Sequence, residues 1–171
     1  LARVGSALLW SAVRSAARSV TDAARGRTAA RSSSRRGQAV GRGPGTAHPQ
    51  SATTPSGSGY AGDAHGPLPI EYAPQPDGLA DPGEVVWAWV PFEEGDGRGK
   101  DRPVLVVGRD GDLLLGLMLT SKDHDRDAAD EARWGRIWMD IGTGDWDRRG
   151  RPSEVRLDRV LRLSASAVRR E

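Results

Sequence analysis

The chain of 171 residues contains no cysteine, so disulfide bonds and thiolate metal sites are excluded. It also lacks any run of about 18 apolar residues, the length that a membrane-spanning helix requires. Nucleophile-elbow, Walker A and HExxH motifs are missing as well, so the common hydrolase, nucleotide-binding and zinc-protease signatures are not met. These absences predict a cytoplasmic protein that uses no cofactor.

Charge is distributed unevenly along the chain. Residues 1–80 carry nine Arg and four acidic residues, a net charge of +5, whereas residues 81–171 have a net charge of −3. The pI near 9.5 therefore reflects a basic N-terminal region joined to a mildly acidic body. Overall basicity alone does not indicate a nucleic-acid-binding domain here.

Composition divides the chain into three regions. Residues 1–25 are expected to form an amphipathic helix. Such a helix could be a weak membrane-surface anchor, but we favour a marginal helix with no binding role. Residues 26–79 are rich in Gly, Ser, Pro and Arg, and we expect a disordered linker. Residues 80–171 are predicted to form the folded domain. The apolar positions of the helix are Val4, Leu8, Leu9, Val13 and Val20.

The body of the chain is typical of an all-β domain, with short apolar runs between turn residues. The predicted strands are Glu84–Val90, Arg102–Arg109, Asp112–Thr120, Trp134–Ile141 and Glu154–Leu161. A helical turn is expected within 126–133, and Ser164 is expected to cap a short C-terminal helix ending near Arg170. This pattern favours a small antiparallel barrel or a half-open sandwich. The first strand is apolar on both faces, which predicts a homodimer.

Asp110-Gly111 predicts a tight hairpin between the second and third strands. The ideal register pairs Arg109 with Asp112 and Arg102 with Leu119. Arg102 then lies beside Thr120 and Ser121 at the open end of the hairpin. The ideal register places Ser121 on its face, and a single bulge would place Thr120 there instead.

Three other residues are candidates for chemistry. Arg156 and Asp158 are two positions apart on a predicted strand, so their side chains share a face. This pattern fits either an active-site pair or a surface ion pair, and spacing alone favours the ion pair. His124 follows Thr120 closely and could act as a secondary acid or base. The acidic run around it fails as a calcium loop because Ala128 and Trp134 occupy the Gly and Glu positions, so no metal site is predicted.

These motifs, in this order, resemble the PemK/MazF family of toxins from type II toxin–antitoxin systems. The resemblance covers residues 80–171 and depends on four short segments. They are Gly83-Glu-Val-Val-Trp87, Gly99-Lys-Asp-Arg-Pro-Val-Leu-Val-Val107, Leu119-Thr-Ser121 and Ser153-Glu-Val-Arg-Leu-Asp158.

The resemblance implies an SH3-like barrel that dimerises and cleaves single-stranded RNA without a metal, leaving a 2′,3′-cyclic phosphate and a 5′-hydroxyl. It implies that Arg102 contacts the scissile phosphate, that Thr120 and Ser121 position it, and that Arg156 and Asp158 form a catalytic Arg-x-Asp pair. A small acidic antitoxin would neutralise the protein. RNA binding and DNA binding are the interactions expected.

Two alternatives stay open at this point. One is a non-catalytic SH3-like module that binds a protein or RNA, which the acidic body favours. The other is a gyrase poison of the same fold. Those proteins act through an aromatic residue near the C-terminus, whereas this chain ends in Ala-Val-Arg-Arg-Glu171, so we rank this alternative last.

Overall fold

A computed structural model describes residues 2–3, 9–15, 59–124 and 128–169. Among these residues, no helix is long and apolar enough to cross a membrane. The described part of the chain has two α-helices: α1 spans 9–15, and α2 spans Ala128–Arg133, which confirms the helical turn expected within 126–133. The strands are β1 (Ala2–Arg3), β2 (Tyr60–Ala64), β3 (Glu84–Pro91), β4 (Gly99–Asp110), β5 (Leu113–Thr120), β6 (Trp138–Gly142), β7 (Ser153–Arg156) and β8 (Val160–Ser164).

The strands form one antiparallel sheet with the order β1-β3-β4-β5-β7-β6, while β8 pairs with both β5 and β2. Pairing among the described strands does not close this sheet into a barrel. The predicted strand Glu154–Leu161 is in fact two strands, because the chain bends at 157–159. β7 pairs with the end of β5, and β8 pairs with its beginning. The predicted fourth strand starts later, at Trp138, because Trp134 follows directly on α2.

The hairpin between β4 and β5 decides where Arg102 lies. Asp110 pairs with Leu113 and Arg109 with Leu114, two positions beyond the predicted partner Asp112. Gly111 takes φ +61°, a conformation that glycine adopts easily. A β-bulge between Val106 and Gly108 then shifts the register again. Because Val104 pairs with Met118, continuing the register by two residues places Arg102 opposite Thr120. The predicted pairing with Leu119 is therefore wrong, and the bulge alternative holds.

The core consists of two clusters, one on each face of β3 and β4. Val85 packs in the first cluster, and Val86 and Val90 pack in the second. These valines on both faces of β3 are thus buried within one chain, while Trp87 and Trp89 stay partly exposed, so the apolar character of the valines gives no argument for a homodimer. The first cluster includes Leu9, Trp10 and Val13, the apolar face of α1, which are only 2–4% exposed.

Packing explains why a helix as short as α1 is stable, because an isolated helix of this length is marginal in water. Residues 9–15 lie within the predicted 1–25 helix, while most of that segment is outside the described residues. Val4, Leu8 and Val20 are among the positions not described.

Residues 59–79 differ from the disordered linker expected for 26–79. Tyr60 pairs with Leu163 of β8, and the carboxylate of Asp63 accepts two hydrogen bonds from Arg159 Nε, at 2.9 and 3.1 Å. Burial, together with the hydrogen bond to Asp63, raises the pKa of Tyr60 to about 12. The linker prediction overlooked these contacts because partners about a hundred positions away supply them. Residues 26–58 lie outside the described part of the chain.

The C-terminal segment does not form the α-helix expected after Ser164. β8 continues to Ser164, a single 3-10 turn follows at Ala165–Ala167, and Ser164 makes no side-chain cap. Arg169 then exchanges two backbone hydrogen bonds with Trp87, at 2.7 and 2.8 Å. Because Arg169 pairs with β3 in this way, the backbone after Ser164 does not continue as a helix.

Candidate functional site

Arg102 is a half-buried cation near the start of β4. Its side chain makes no hydrogen bond or salt bridge with any residue that the structure describes. Burial, and secondarily the positive charge of Arg159, lower the pKa of Arg102. A guanidinium in this position retains its full hydrogen-bonding capacity for an anionic ligand.

The two hydroxyl residues flank Arg102 at the end of β5. Thr120 lies opposite Arg102 in the extended register, and its Oγ1 accepts a hydrogen bond from the Lys122 N–H at 3.1 Å. Ser121 is exposed and follows the last residue of the strand. The structure therefore brings together the three residues that the hairpin argument predicted to be neighbours.

Arg156 and Asp158 form a bidentate pair in which Arg156 is buried and Asp158 is partly exposed. Arg156 is 6% exposed and donates to Asp158 from Nε, at 3.1 Å to each carboxylate oxygen, and from Nη2, at 2.7 Å. Asp158, in the bend after β7, also accepts the Ile137 N–H at 2.8 Å. The prediction placed both side chains on one face of a strand, whereas β7 ends at Arg156 and Asp158 reaches it from the bend. Because Arg156 is buried, the pair is more than a surface ion pair.

Glu93, in the loop between β3 and β4, is the second partner of Arg156. It makes a salt bridge to Arg156 and accepts a hydrogen bond from Arg136 Nη2 at 2.8 Å. Burial raises the pKa of Glu93, but the hydrogen bonds from these two arginines outweigh it and leave the pKa below its ordinary value. Burial lowers the pKa of Arg156, and its two carboxylate partners more than compensate.

His124 is held in a buried contact that sequence reasoning missed. Its Nδ1 lies 2.8 Å from Glu154 Oε2, and its backbone N–H donates to Glu154 Oε1 at 2.9 Å. The imidazole stacks on Trp138, with ring centroids 4.0 Å apart and planes 3° from parallel. Nδ1 is thus occupied, while Nε2 has no hydrogen-bond partner among the described residues and is not sealed from solvent.

The alternating pattern of β7 carried a signal for this contact. In a strand, Glu154 and Arg156 share a face; Arg156 lies over the Trp138 ring, and Glu154 contacts His124, which stacks on the same ring. What the sequence did not indicate is the side chain opposite Glu154, since His124 comes from a loop thirty positions earlier.

Two clefts meet at Arg102 and Thr120. The first, which we name the His124 cleft, has a volume of about 480 Å³; the second, the basic cleft, has a volume of about 330 Å³. Besides Arg102 and Thr120, the lining of the His124 cleft includes Glu93, His124, Arg136, Trp138 and Arg156. The lining of the basic cleft includes Trp87, Lys100, Ser121, Trp146, Arg148, Arg149 and Arg151. Asp158 lines neither cleft, so its contact with the site runs through Arg156.

This geometry suits binding of a phosphodiester. Arg102, which has no side-chain partner among the described residues, and the Thr120 hydroxyl lie between two clefts. Arg156 lines one of these clefts, beside a histidine with a carboxylate partner. Such groups can offset charge on phosphoryl oxygens and transfer a proton.

Comparison with known proteins gave one family. The model of the PemK-like, MazF-like toxins of type II toxin-antitoxin systems matches residues 81–171, from the start of the β3 region to the end of the chain. Searches of curated proteins and of solved structures each found no significant match. The matched region is more than half of the chain and contains every candidate site residue, so this protein belongs to the PemK-like, MazF-like toxin family.

Proposed function

We propose that this protein is a toxin-type endoribonuclease that cleaves single-stranded RNA. The observation that carries the proposal is Arg102, a half-buried arginine without a side-chain partner in the described structure, facing Thr120 where two clefts meet. Leaving such a cation without an anion is unfavourable unless a ligand supplies one. The scissile phosphate of RNA is that anion, and Thr120 and Ser121 would help to position it.

Cleavage proceeds by attack of the ribose 2′-oxygen on the adjacent phosphorus. The bond from phosphorus to the 5′-oxygen breaks, the 2′-hydroxyl proton goes to a base, and the departing 5′-oxygen takes a proton from an acid. The products are a 2′,3′-cyclic phosphate and a 5′-hydroxyl. Negative charge builds on the non-bridging oxygens, and Arg102 and Arg156 offset it. Since DNA lacks the nucleophile, the chemistry selects RNA.

His124 is our assignment for a proton-transfer group. Among the residues lining its cleft it alone is a histidine, the side chain that most often transfers protons near neutral pH. Glu154 and Trp138 fix its ring, which leaves Nε2 for the substrate. We assign Asp158 to orientation of Arg156, because its carboxylate is already engaged by Arg156 and the Ile137 N–H.

The direct test uses the full-length chain, because β2 and α1 pack on the domain and a protein starting near residue 80 would lose both. Mixed RNA is incubated with the protein in EDTA and the cut ends are mapped. We expect cyclic phosphate and 5′-hydroxyl ends, and no cleavage by Arg102→Ala. Arg162→Ala is the matched control, since Arg162 pairs with Asp110 and lines neither cleft. Absence of cleavage by the native chain, or full activity of Arg102→Ala, contradicts the proposal.

A substrate with a bridging sulfur at the 5′ position tests His124 separately, because a thiolate leaves without protonation. If His124 is the general acid, His124→Gln loses activity on ordinary RNA and regains it on the sulfur substrate. If His124 is the general base, both substrates are cut slowly. Native rates on both substrates would remove His124 from the mechanism.

Several further properties belong to the proposal through the family. They are neutralisation by a small acidic antitoxin, a homodimer, a cytoplasmic location and an SH3-like barrel. The bridge from Trp87 to Arg169 supports the barrel, because it returns the chain end to β3. The salt bridge of Glu93 to Arg156 favours a second candidate, a non-catalytic module that binds RNA or protein, since it occupies a cation of the site. That candidate predicts binding without turnover in the assay above.

A further inference from the structure

The basic cleft is the second feature of this molecule that calls for an anionic ligand. Its lining carries five cations, Lys100, Arg102, Arg148, Arg149 and Arg151, against the carboxylates of Asp101 and Asp147. The net charge of the lining is thus +3, on a domain whose sequence is mildly acidic. Three of these cations are neighbours in the sequence, at 148–151, and the fold adds Lys100 and Arg102 from β4.

The two carboxylates of the basic cleft are already used. Asp147 accepts hydrogen bonds from Arg151 Nε at 2.7 Å and from the Arg149 N–H at 2.9 Å, and Asp101 makes a salt bridge to Arg169. By contrast, the side chains of Lys100 and Arg149 make no hydrogen bond or salt bridge within the described part of the chain. These two cations therefore remain available to a ligand.

The loop that carries Arg148, Arg149 and Arg151 is anchored to the rest of the domain by Trp146. Trp146 is 6% exposed and donates from Nε1 to Ser153 Oγ at 3.1 Å. Gly144 is required beneath its ring, since a Cβ there would lie 2.1 Å from Trp146. Asp147 also closes a turn, through the Gly150 N–H at 2.7 Å to its carbonyl oxygen. Arg148, Arg149 and Arg151 thus project from a fixed segment.

Trp87 adds an aromatic surface to the basic cleft. Its ring is half-buried, and its Nε1–H is a buried donor without an acceptor in the described structure. Because that donor is buried, only the exposed part of the Trp87 ring can contact a ligand in the basic cleft. Unpaired RNA bases also stack on tryptophan rings in single-strand-binding proteins.

We infer that the basic cleft binds the RNA backbone next to the scissile phosphate, with Lys100 and Arg149 contacting flanking phosphates and Trp87 contacting an unpaired base. The inference rests on the proposed ribonuclease function, which places the cut at Arg102. An RNA strand whose scissile phosphate lies at Arg102 can extend into the basic cleft, because both clefts share Arg102 and Thr120. This shared boundary favours RNA over an acidic peptide.

The test measures binding of the full-length protein to fully 2′-O-methylated RNA, which cannot be cut, by fluorescence anisotropy at several KCl concentrations. Each phosphate contact to a single strand contributes about 0.7 to the slope of log K against log salt. Lys100→Ala combined with Arg149→Ala should therefore flatten the slope by about 1.4. The control combines Arg133→Ala with Arg162→Ala, which removes the same charge at residues lining neither cleft.

Cleavage provides a second readout. For the Lys100 and Arg149 double variant, the ratio of kcat/KM for an oligonucleotide to that for a dinucleotide should fall, since a dinucleotide has no flanking phosphates for Lys100 and Arg149 to contact. An unchanged salt slope in the double variant overturns the inference. The inference also fails if the double variant loses binding to an acidic peptide but keeps its binding to RNA. If the native chain binds RNA with the expected slope change but cuts nothing, the inference stands and the ribonuclease proposal fails.

Discussion

Glu93→Gln should weaken folding and tighten RNA binding at the same time. The native carboxylate holds Arg156 and Arg136, yet its side chain is 38% exposed, so solvent screens both ion pairs. We expect a loss of about 1 kcal/mol or less in the free energy of unfolding at neutral pH. Arg156 is not left unpaired, because Asp158 keeps its three hydrogen bonds.

The gain in binding follows from the same contact. A phosphate on Arg156 must share the guanidinium with Glu93, so the two negative charges would approach to about 4 Å, which costs about 1 kcal/mol at water-like screening. Removing the charge of Glu93 should therefore lower KM and Kd about five-fold. Glu94→Gln, a neighbouring exposed carboxylate for which the structure gives no ion pair, is the control and should gain less.

The pH dependence provides an independent check on Glu93. Its folded-state pKa is below the ordinary value, so the stability it contributes is present above the unfolded-state pKa of about 4.3 and is lost as pH falls through the folded-state pKa. Urea unfolding of the native and Glu93→Gln proteins should thus converge in acid and separate near neutrality. Equal or weaker RNA binding by Glu93→Gln would refute the idea that Glu93 competes with phosphate.

Three further variants test other contacts. Asp63→Asn leaves Arg159 buried without its carboxylate and should lower the free energy of unfolding in urea by roughly 1–3 kcal/mol. The control Asp112→Asn, in an exposed turn, should change it little. Equal stabilities of the two variants would show that this pair does not hold β2. Gly116→Ala puts a Cβ 2.4 Å from Val104 and should cost about 1–3 kcal/mol by overpacking, so a native melting temperature would contradict the close approach of β4 and β5. Arg156→Lys keeps the charge but loses the bidentate fork to Asp158, so kcat should fall well below that of Arg136→Lys; equal kcat values would argue against a role for the fork.

Much of the fold follows from local sequence. Alternating apolar residues and the Asp110-Gly111 turn correctly predicted β3, β4 and β5, because adjacent strands joined by a tight turn need only short-range information. The bend that divides β7 from β8 was not predicted. Val155, Leu157 and Leu161 fit one alternating pattern, but Leu157 lies in the bend, and Val155 and Leu161 pair with opposite ends of β5.

The candidate site shows the same division. The hairpin predicted that Arg102, Thr120 and Ser121 are neighbours. Which of the two hydroxyl residues lies opposite Arg102 depended on a bulge between Val106 and Gly108, which no sequence motif indicated. Glu93 appeared in the sequence only as a loop acid. Its contact with Arg156 joins segments more than sixty positions apart.

Sequence by itself determined the family, the antiparallel β-rich domain and the residue types of the site, because these depend on short motifs and on the period of two along a strand. Tertiary structure alone decided what those residues do for one another. It paired His124 with Glu154, joined Glu93 to Arg156, left Arg102 without a side-chain partner in the described structure, and brought Lys100 and Arg102 to the arginines of 148–151. The reason is physical: charge pairing and burial depend on distances in space, which residues far apart in sequence acquire only when the chain folds.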